Sequence, residues 1–229
     1  MWLRCFVVFG ALATGVVARQ SPPWAPDALP PVAAAKLAAS LAAARSHTQH
    51  VWRDALPRNA DYTVNAYIEI PRGERRKWEL DMRANARAVD RVIPESVGGF
   101  PVNYGFVPQT VSYDGDPFDA LVLGPPIDGG TTVRGIVVGL MYMEDEKGFD
   151  SKVVLSPAGA DGQPLHQLSA SERDRIGEFF ARYKAHDPGA YSKVPGWGTV
   201  AEGTSLVERT HAFFLVCRER PGESCHVAR

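Results

Sequence analysis

Three aspartates within six residues, Asp114-Gly115-Asp116-Pro117-Phe118-Asp119, constrain this chain more than any other feature. Gathered carboxylates raise one another's pKa or cost folding energy unless a cation neutralises them, so the run reads as a site for a divalent metal. Oxygen donors favour magnesium, manganese or calcium over zinc. Gly115 permits a tight turn, Pro117 stiffens the chain beyond it, and Phe118 to Leu123 read as a strand entering a core. An EF-hand does not fit: counted from Asp114, position five is Phe118, position six is Asp119 and position twelve is Pro125. Taken alone, the segment also suits an exposed acidic turn between strands.

A second acidic turn answers the first. Thr132 to Met143 is a long apolar run containing Gly135 and Gly139, which predicts a curved, buried strand. It ends in Glu144-Asp145-Glu146-Lys147-Gly148-Phe149-Asp150-Ser151-Lys152. Upstream, Asp61 to Pro71 and Arg75 to Asp81 alternate as two strands of a hairpin turning at Gly73, with Lys77 and Glu79 on one face and Glu69 able to join them across it. An outer face laced with ion pairs would look the same. Ala88 to Ile93 is a further short strand, in which Arg91 must point toward water or an anion. Ser169-Ala-Ser-Glu172 is a capping box opening a helix, with Ile176, Phe179, Phe180 and Tyr183 on its inner face.

These elements resemble the soluble family I inorganic pyrophosphatases of the prokaryotic type. Asp-Gly-Asp-Pro-Phe-Asp matches that family's signature, with Asn103-Tyr104-Gly105-Phe106 ahead of it and Ile68-Glu69-Ile70-Pro71, Lys77-Trp78-Glu79 and Lys193-Val-Pro-Gly-Trp197 in order. The resemblance runs from about Tyr62 to Trp197. It implies an α+β, mainly β fold: a small, twisted, five-stranded OB-like β-barrel with flanking helices. It also implies Mg2+, with Mn2+ or other divalent ions as substitutes, held by Asp114, Asp119, Asp145 and Asp150, with Glu69 and Glu79 shaping the metal site. By the same resemblance Asp116 is the general base, and Lys77, Arg91, Tyr104, Lys152, Tyr183 and Lys184 bind the substrate, pyrophosphate. Phe100 stands where many relatives carry tyrosine, so one hydroxyl contact is missing. A homo-oligomer, a hexamer in prokaryotic-type relatives, is implied as well.

Outside that span the chain has its own character. Met1-Trp-Leu-Arg4 followed by the apolar stretch Cys5 to Ala18 has the layout of a secretory signal, and the stretch falls short of a membrane span. We expect residues 1–18 to be cleaved, the mature protein to be periplasmic or secreted, and no stable membrane insertion to remain. Residues 19–60 then comprise a proline-rich linker and an added helix, and 61–229 the catalytic domain. The helix is predicted over Val32 to Trp52, with Leu37, Leu41, Ala44, Thr48 and Val51 on its stripe and Lys36, Arg45 and His47 off it. His47 and His50 lack a further ligand nearby and read as a solvated face. Ala201 to Val216 supplies a terminal helix or its replacement, although Ala212 to Cys217 has a strand-like composition.

Once Cys5 is removed with the leader, Cys217 and Cys225 form an even pair in an oxidising compartment, either as a disulfide or as two separate thiols. A net charge of −1 and a hydrophobic share of 45% describe a globular chain without a general basic field, which argues against a general nucleic-acid binder and leaves room for a local cationic pocket. A non-catalytic binder of calcium pyrophosphate or polyphosphate is the other reading. Asp116 argues against it, because binding alone needs no general base.

Overall fold

The computed structural model describes residues 27–221 and Cys225. The expected leader and the start of the linker lie outside these residues. Helix α1 (Pro31–Ala44) starts on a proline at its first position, where no amide donor is needed, and α2 (Val51–Asp54) is a single turn. The strands come next: β1 (Val64–Ile70), β2 (Arg76–Asp81), β3 (Ala86–Val92), β4 (Asn103–Val107), β5 (Phe118–Val122), β6 (Thr132–Asp145), β7 (Gly148–Phe149) and β8 (Lys152–Pro157). Helix α3 (Ala170–Arg182), β9 (Ser192–Gly198) and α4 (Val200–Glu219) complete the order.

Five strands close into a ring. β1 pairs antiparallel with β4, β4 with β5, β5 runs parallel to β8, β8 is antiparallel to β6, and β6 returns to β1 with Val64 opposite Gly135. The register of β6 shifts between Val137 and Gly139, after which the strand carries β9 and β7 beyond the ring. Gly105 is needed where β4 crosses β1, because a Cβ there would lie 1.8 Å from the Tyr67 carbonyl oxygen.

The expected β1–β2 hairpin does not form. Both edges of β1 are already taken by β4 and β6, so β2 pairs instead with β3 in a separate two-stranded sheet, Glu79 opposite Ala88. A helical reading of Ala212 to Cys217 prevails over the strand-like one: α4 runs through the segment, burying Phe213, Phe214 and Cys217 on one side. Its start is fixed by Thr199 and Glu202, which cap each other's backbone.

Two apolar clusters hold the ring. One joins Ala66, Ile68 and Phe106 to Ala33 and Leu37 of α1, to Trp52, and to Phe213 and Phe214 of α4. The other packs Leu121, Met141 and Val154 against Phe100 and the α3 residues Ile176, Phe179 and Phe180. Helix α1 therefore packs on this chain's own core. It ends at Ala44, short of the expected Trp52, because His50 turns the chain and caps α2 through the amides of Trp52 and Arg53. His50 is 1% exposed, which corrects its reading as part of a solvated face. Cys217 and Cys225 are bridged, with their Cα atoms 5.5 Å apart. Among the described residues no helix is long and apolar enough to cross a membrane.

Candidate active site

A cavity of about 440 Å³ opens at one side of the ring, and the acidic turns after β4 and β6 both face it. Asp114, Asp116 and Asp119 line it together with Asp145 and Asp150, so the two separated turns do meet in space. Glu69 reaches it from β1, Lys77 and Glu79 from β2, Arg91 from β3, Tyr104 from β4, and Tyr183 and Lys184 from the end of α3. Ten acidic and five basic side chains line the cavity, an excess of acid that calls for cations.

The aspartate turn is built locally. Gly115 has φ +88, and the Asp116 amide donates to Asp114 Oδ1 at 3.0 Å. Burial, with the nearby Asp114 charge second, raises the Asp116 pKa to about 7. Burial opposes ionisation of Asp114 as well, but there the Asp116 amide and the Lys36 and Lys147 charges outweigh it and its pKa is lowered. Lys36 opposes the rise at Asp116 too, so the amide bond received by Asp114 is what sets the neighbouring aspartates apart.

Behind the turn lies Lys152, 1% exposed, with Nζ 2.5 Å from Asp119 Oδ2 and 2.9 Å from Asp150 Oδ1. It sits beneath the cavity rather than on its lining, over the ring of Tyr104. Burial raises Asp150 to about 8, and the Asp119 and Asp114 charges add to that rise while Lys152 opposes it. Lys184 Nζ holds Asp145 Oδ2 at 2.6 Å and Glu146 Oε1 at 3.0 Å. Lys77 donates to Glu79 and lies 3.2 Å from Asp90 Oδ2. Glu69 is buried, accepts the Leu80 amide at 2.6 Å, and has its pKa pushed well up by burial. That bond ties β1 to β2 without strand pairing.

Arg91 is the most telling cation. Nη1 lies 2.6 Å from Asp187 Oδ2 and the guanidinium stands over the Tyr183 ring, yet buried Nε and Nη2 have no hydrogen-bond acceptor. Two donors of one planar fork are thereby left for an anion. Phe100, in place of a tyrosine, is fully buried against Tyr104, Phe179 and Phe180.

Lys36, Glu146 and Asp187 also belong to this wall. Glu146 adjoins Asp145 in the acidic turn, a signal available in the sequence. Lys36 and Asp187 carry no local pattern that would have marked them.

The donor set suits hard divalent cations, since the acids offer only carboxylate oxygens. Among the described residues no three of them close into a ready cage. Lysines stand between them instead.

A five-stranded OB-like ring with a cleft of clustered carboxylates beside lysines and an arginine is an architecture suited to holding cations and an anion together. The match to known proteins is specific: the family model for inorganic pyrophosphatase covers residues 66–214, and the chain belongs to that enzyme family. It is 37% identical over 153 residues to an inorganic pyrophosphatase of Saccharolobus solfataricus, covering 64% of this chain and 88% of that protein. Among solved structures, an inorganic pyrophosphatase of Coxiella burnetii superposes with a TM-score of 0.64 at 38% identity, covering 70% of this chain and 99% of the other. One from Thermus thermophilus gives 0.66 at 34% identity, with coverage of 73% and 99%.

Proposed function

We propose that this protein hydrolyses inorganic pyrophosphate to two phosphates, with dependence on a divalent metal and with Asp116 as the general base. The observation that carries the reading is the meeting of both acidic turns in one cavity, opposite an arginine with two unused donors.

Asp114, Asp119, Asp145 and Asp150 would hold the divalent ions, with Glu69 and Glu79 shaping the wall. When bound, such ions supply charge neutralisation and acidify the attacking water. The residues of the chain do the rest. Asp116, with a pKa near 7, accepts the water's proton as the new oxygen–phosphorus bond forms and the bridging bond breaks. Arg91, Lys77 and Lys184 surround the substrate oxygens and stabilise charge gathering on the departing phosphate. The Tyr104 and Tyr183 hydroxyls, held neutral by burial, donate to the same oxygens. Lys152 supports this assembly from beneath by neutralising Asp119 and Asp150.

Phosphate release from pyrophosphate, assayed with Mg2+ and again with a chelator, tests the reading. Release with Mg2+ that chelation abolishes is expected. Absence of release with Mg2+, Mn2+ or Ca2+ overturns it.

The same proposal includes export after cleavage of residues 1–18, supported by their composition and the Cys217–Cys225 bridge, and assembly as a homo-oligomer. N-terminal sequencing of the mature chain and sedimentation check these two parts.

A further inference from the structure

Helix α1 lies outside the span matched by the pyrophosphatase family, residues 66–214, yet it forms part of the active-site wall. Its Lys36 reaches across the sequence to place Nζ 2.5 Å from Asp116 Oδ2.

The helix backbone, not the reach of a long side chain alone, sets this contact. Helix α1 rests directly on the aspartate turn: a Cβ on Gly115 would lie 2.8 Å from both the Ala33 carbonyl oxygen and the Lys36 Cβ. Flanking Lys36, Ala33 and Leu37 are wholly buried in the cluster that includes Phe213 and Phe214. At the start of the segment the Leu29 amide donates to the Cys225 carbonyl at 3.1 Å, and Asp27 pairs with Arg209 at 2.5 Å. Lys36 is therefore presented from a fixed element, which is what a group that orients another requires.

We propose that Lys36 is a further positioning residue for pyrophosphate hydrolysis, supplied by a helix outside the shared family span, and that it orients the Asp116 carboxylate toward the attacking water. The inference rests on the hydrolase reading above. The ammonium occupies Oδ2 and, with the Asp114 carboxyl on the other side, fixes the plane of a carboxylate whose terminal torsion is intrinsically broad. Lys36 acts through Asp116 and makes no direct demand on the substrate, so its loss slows turnover without weakening binding.

Lys36→Met keeps most of the alkyl stem and removes the ammonium, and the half-exposed site leaves folding intact. Steady-state hydrolysis of magnesium pyrophosphate should show kcat lowered about 10- to 100-fold, with KM and the calorimetric affinity for inorganic phosphate within about twofold of the parent. Lys36→Arg should recover most of kcat, and thermal melting should be unchanged in both variants. An unaltered kcat in Lys36→Met beside an active parent overturns this inference and leaves the hydrolase reading standing. A rise in KM matched by weaker phosphate binding overturns it too, by making Lys36 a substrate ligand. So does a loss of kcat that tracks a lowered melting temperature and that arginine does not restore. A parent inactive with every divalent ion removes the hydrolase reading, and this inference falls with it.

Discussion

Asp187 lies 2.6 Å from Nη1 of Arg91, and this ion pair clamps the loop after α3 onto β3 across the mouth of the cavity. Because the pair engages Nη1, it turns the fork so that Nε and Nη2 remain for an anion. Arg91→Lys keeps the charge and loses the two parallel donors. The expected outcome is a fall in affinity for pyrophosphate of about 10- to 100-fold, with a smaller change in kcat. Calorimetric titration with phosphate, alongside the steady-state constants, checks it; equal affinity in the variant would show that the fork is not used.

Asp116→Asn removes the proton acceptor while preserving shape and the Asp116 amide bond to Asp114. Turnover should drop by about 10²- to 10⁴-fold with metal and phosphate binding retained. Single-turnover chemistry compared with Mg2+ titration separates the two. Turnover equal to that of the parent would remove Asp116 from the reaction.

Lys152 is the buried cation on which two of the expected metal ligands depend. Lys152→Met leaves Asp119 and Asp150 facing each other without it, and breaking a buried ion pair from one side costs about 3–5 kcal/mol. Denaturant unfolding of the metal-free protein should show a loss of that order, part of which Mg2+ restores because added cations relieve the same repulsion. No change in the midpoint without metal would mean that Lys152 neutralises nothing essential there.

Much of the site was legible because it is local. Spacing alone groups Asp114, Asp116 and Asp119, and Asp145 with Asp150, and the strand period sets Lys77 beside Glu79. What was hidden depends on tertiary closure. The alternating segments around Gly73 read as a hairpin, since nothing in them reports that β4 and β6 already occupy both edges of β1. Lys36 falls off the apolar stripe of α1, which normally means solvent alone; here the aspartate turn covers part of that surface. Ala212 to Cys217 looked strand-like because its apolar residues are consecutive, but a long helix with a well-capped start absorbs them by burying one side and leaving Leu215 and Val216 exposed.

His50 shows how a residue read as solvated takes on a structural duty that pH can test. Its Nδ1 accepts the Trp52 amide at 3.3 Å and the Arg53 amide at 3.4 Å, and Nε2 lies 3.1 Å from the Met82 carbonyl, so the neutral ring with its proton on Nε2 satisfies all three. Burial lowers the His50 pKa below 6.5; the Met82 carbonyl pulls the other way, Arg53 and His47 add to the lowering, and Asp54 opposes it. The unfolded chain therefore takes up this proton at higher pH than the folded one does. Stability from the neutral ring is complete above pH 6.5 and is lost as pH falls through the lower folded value. His50→Asn keeps a cap acceptor and cannot titrate. Thermal melting at about pH 7.5 and about pH 5 should show a larger fall for the parent than for the variant, since titrations common to both cancel in the comparison. Equal falls would place the acid sensitivity elsewhere and leave His50 as a cap without a titrating role.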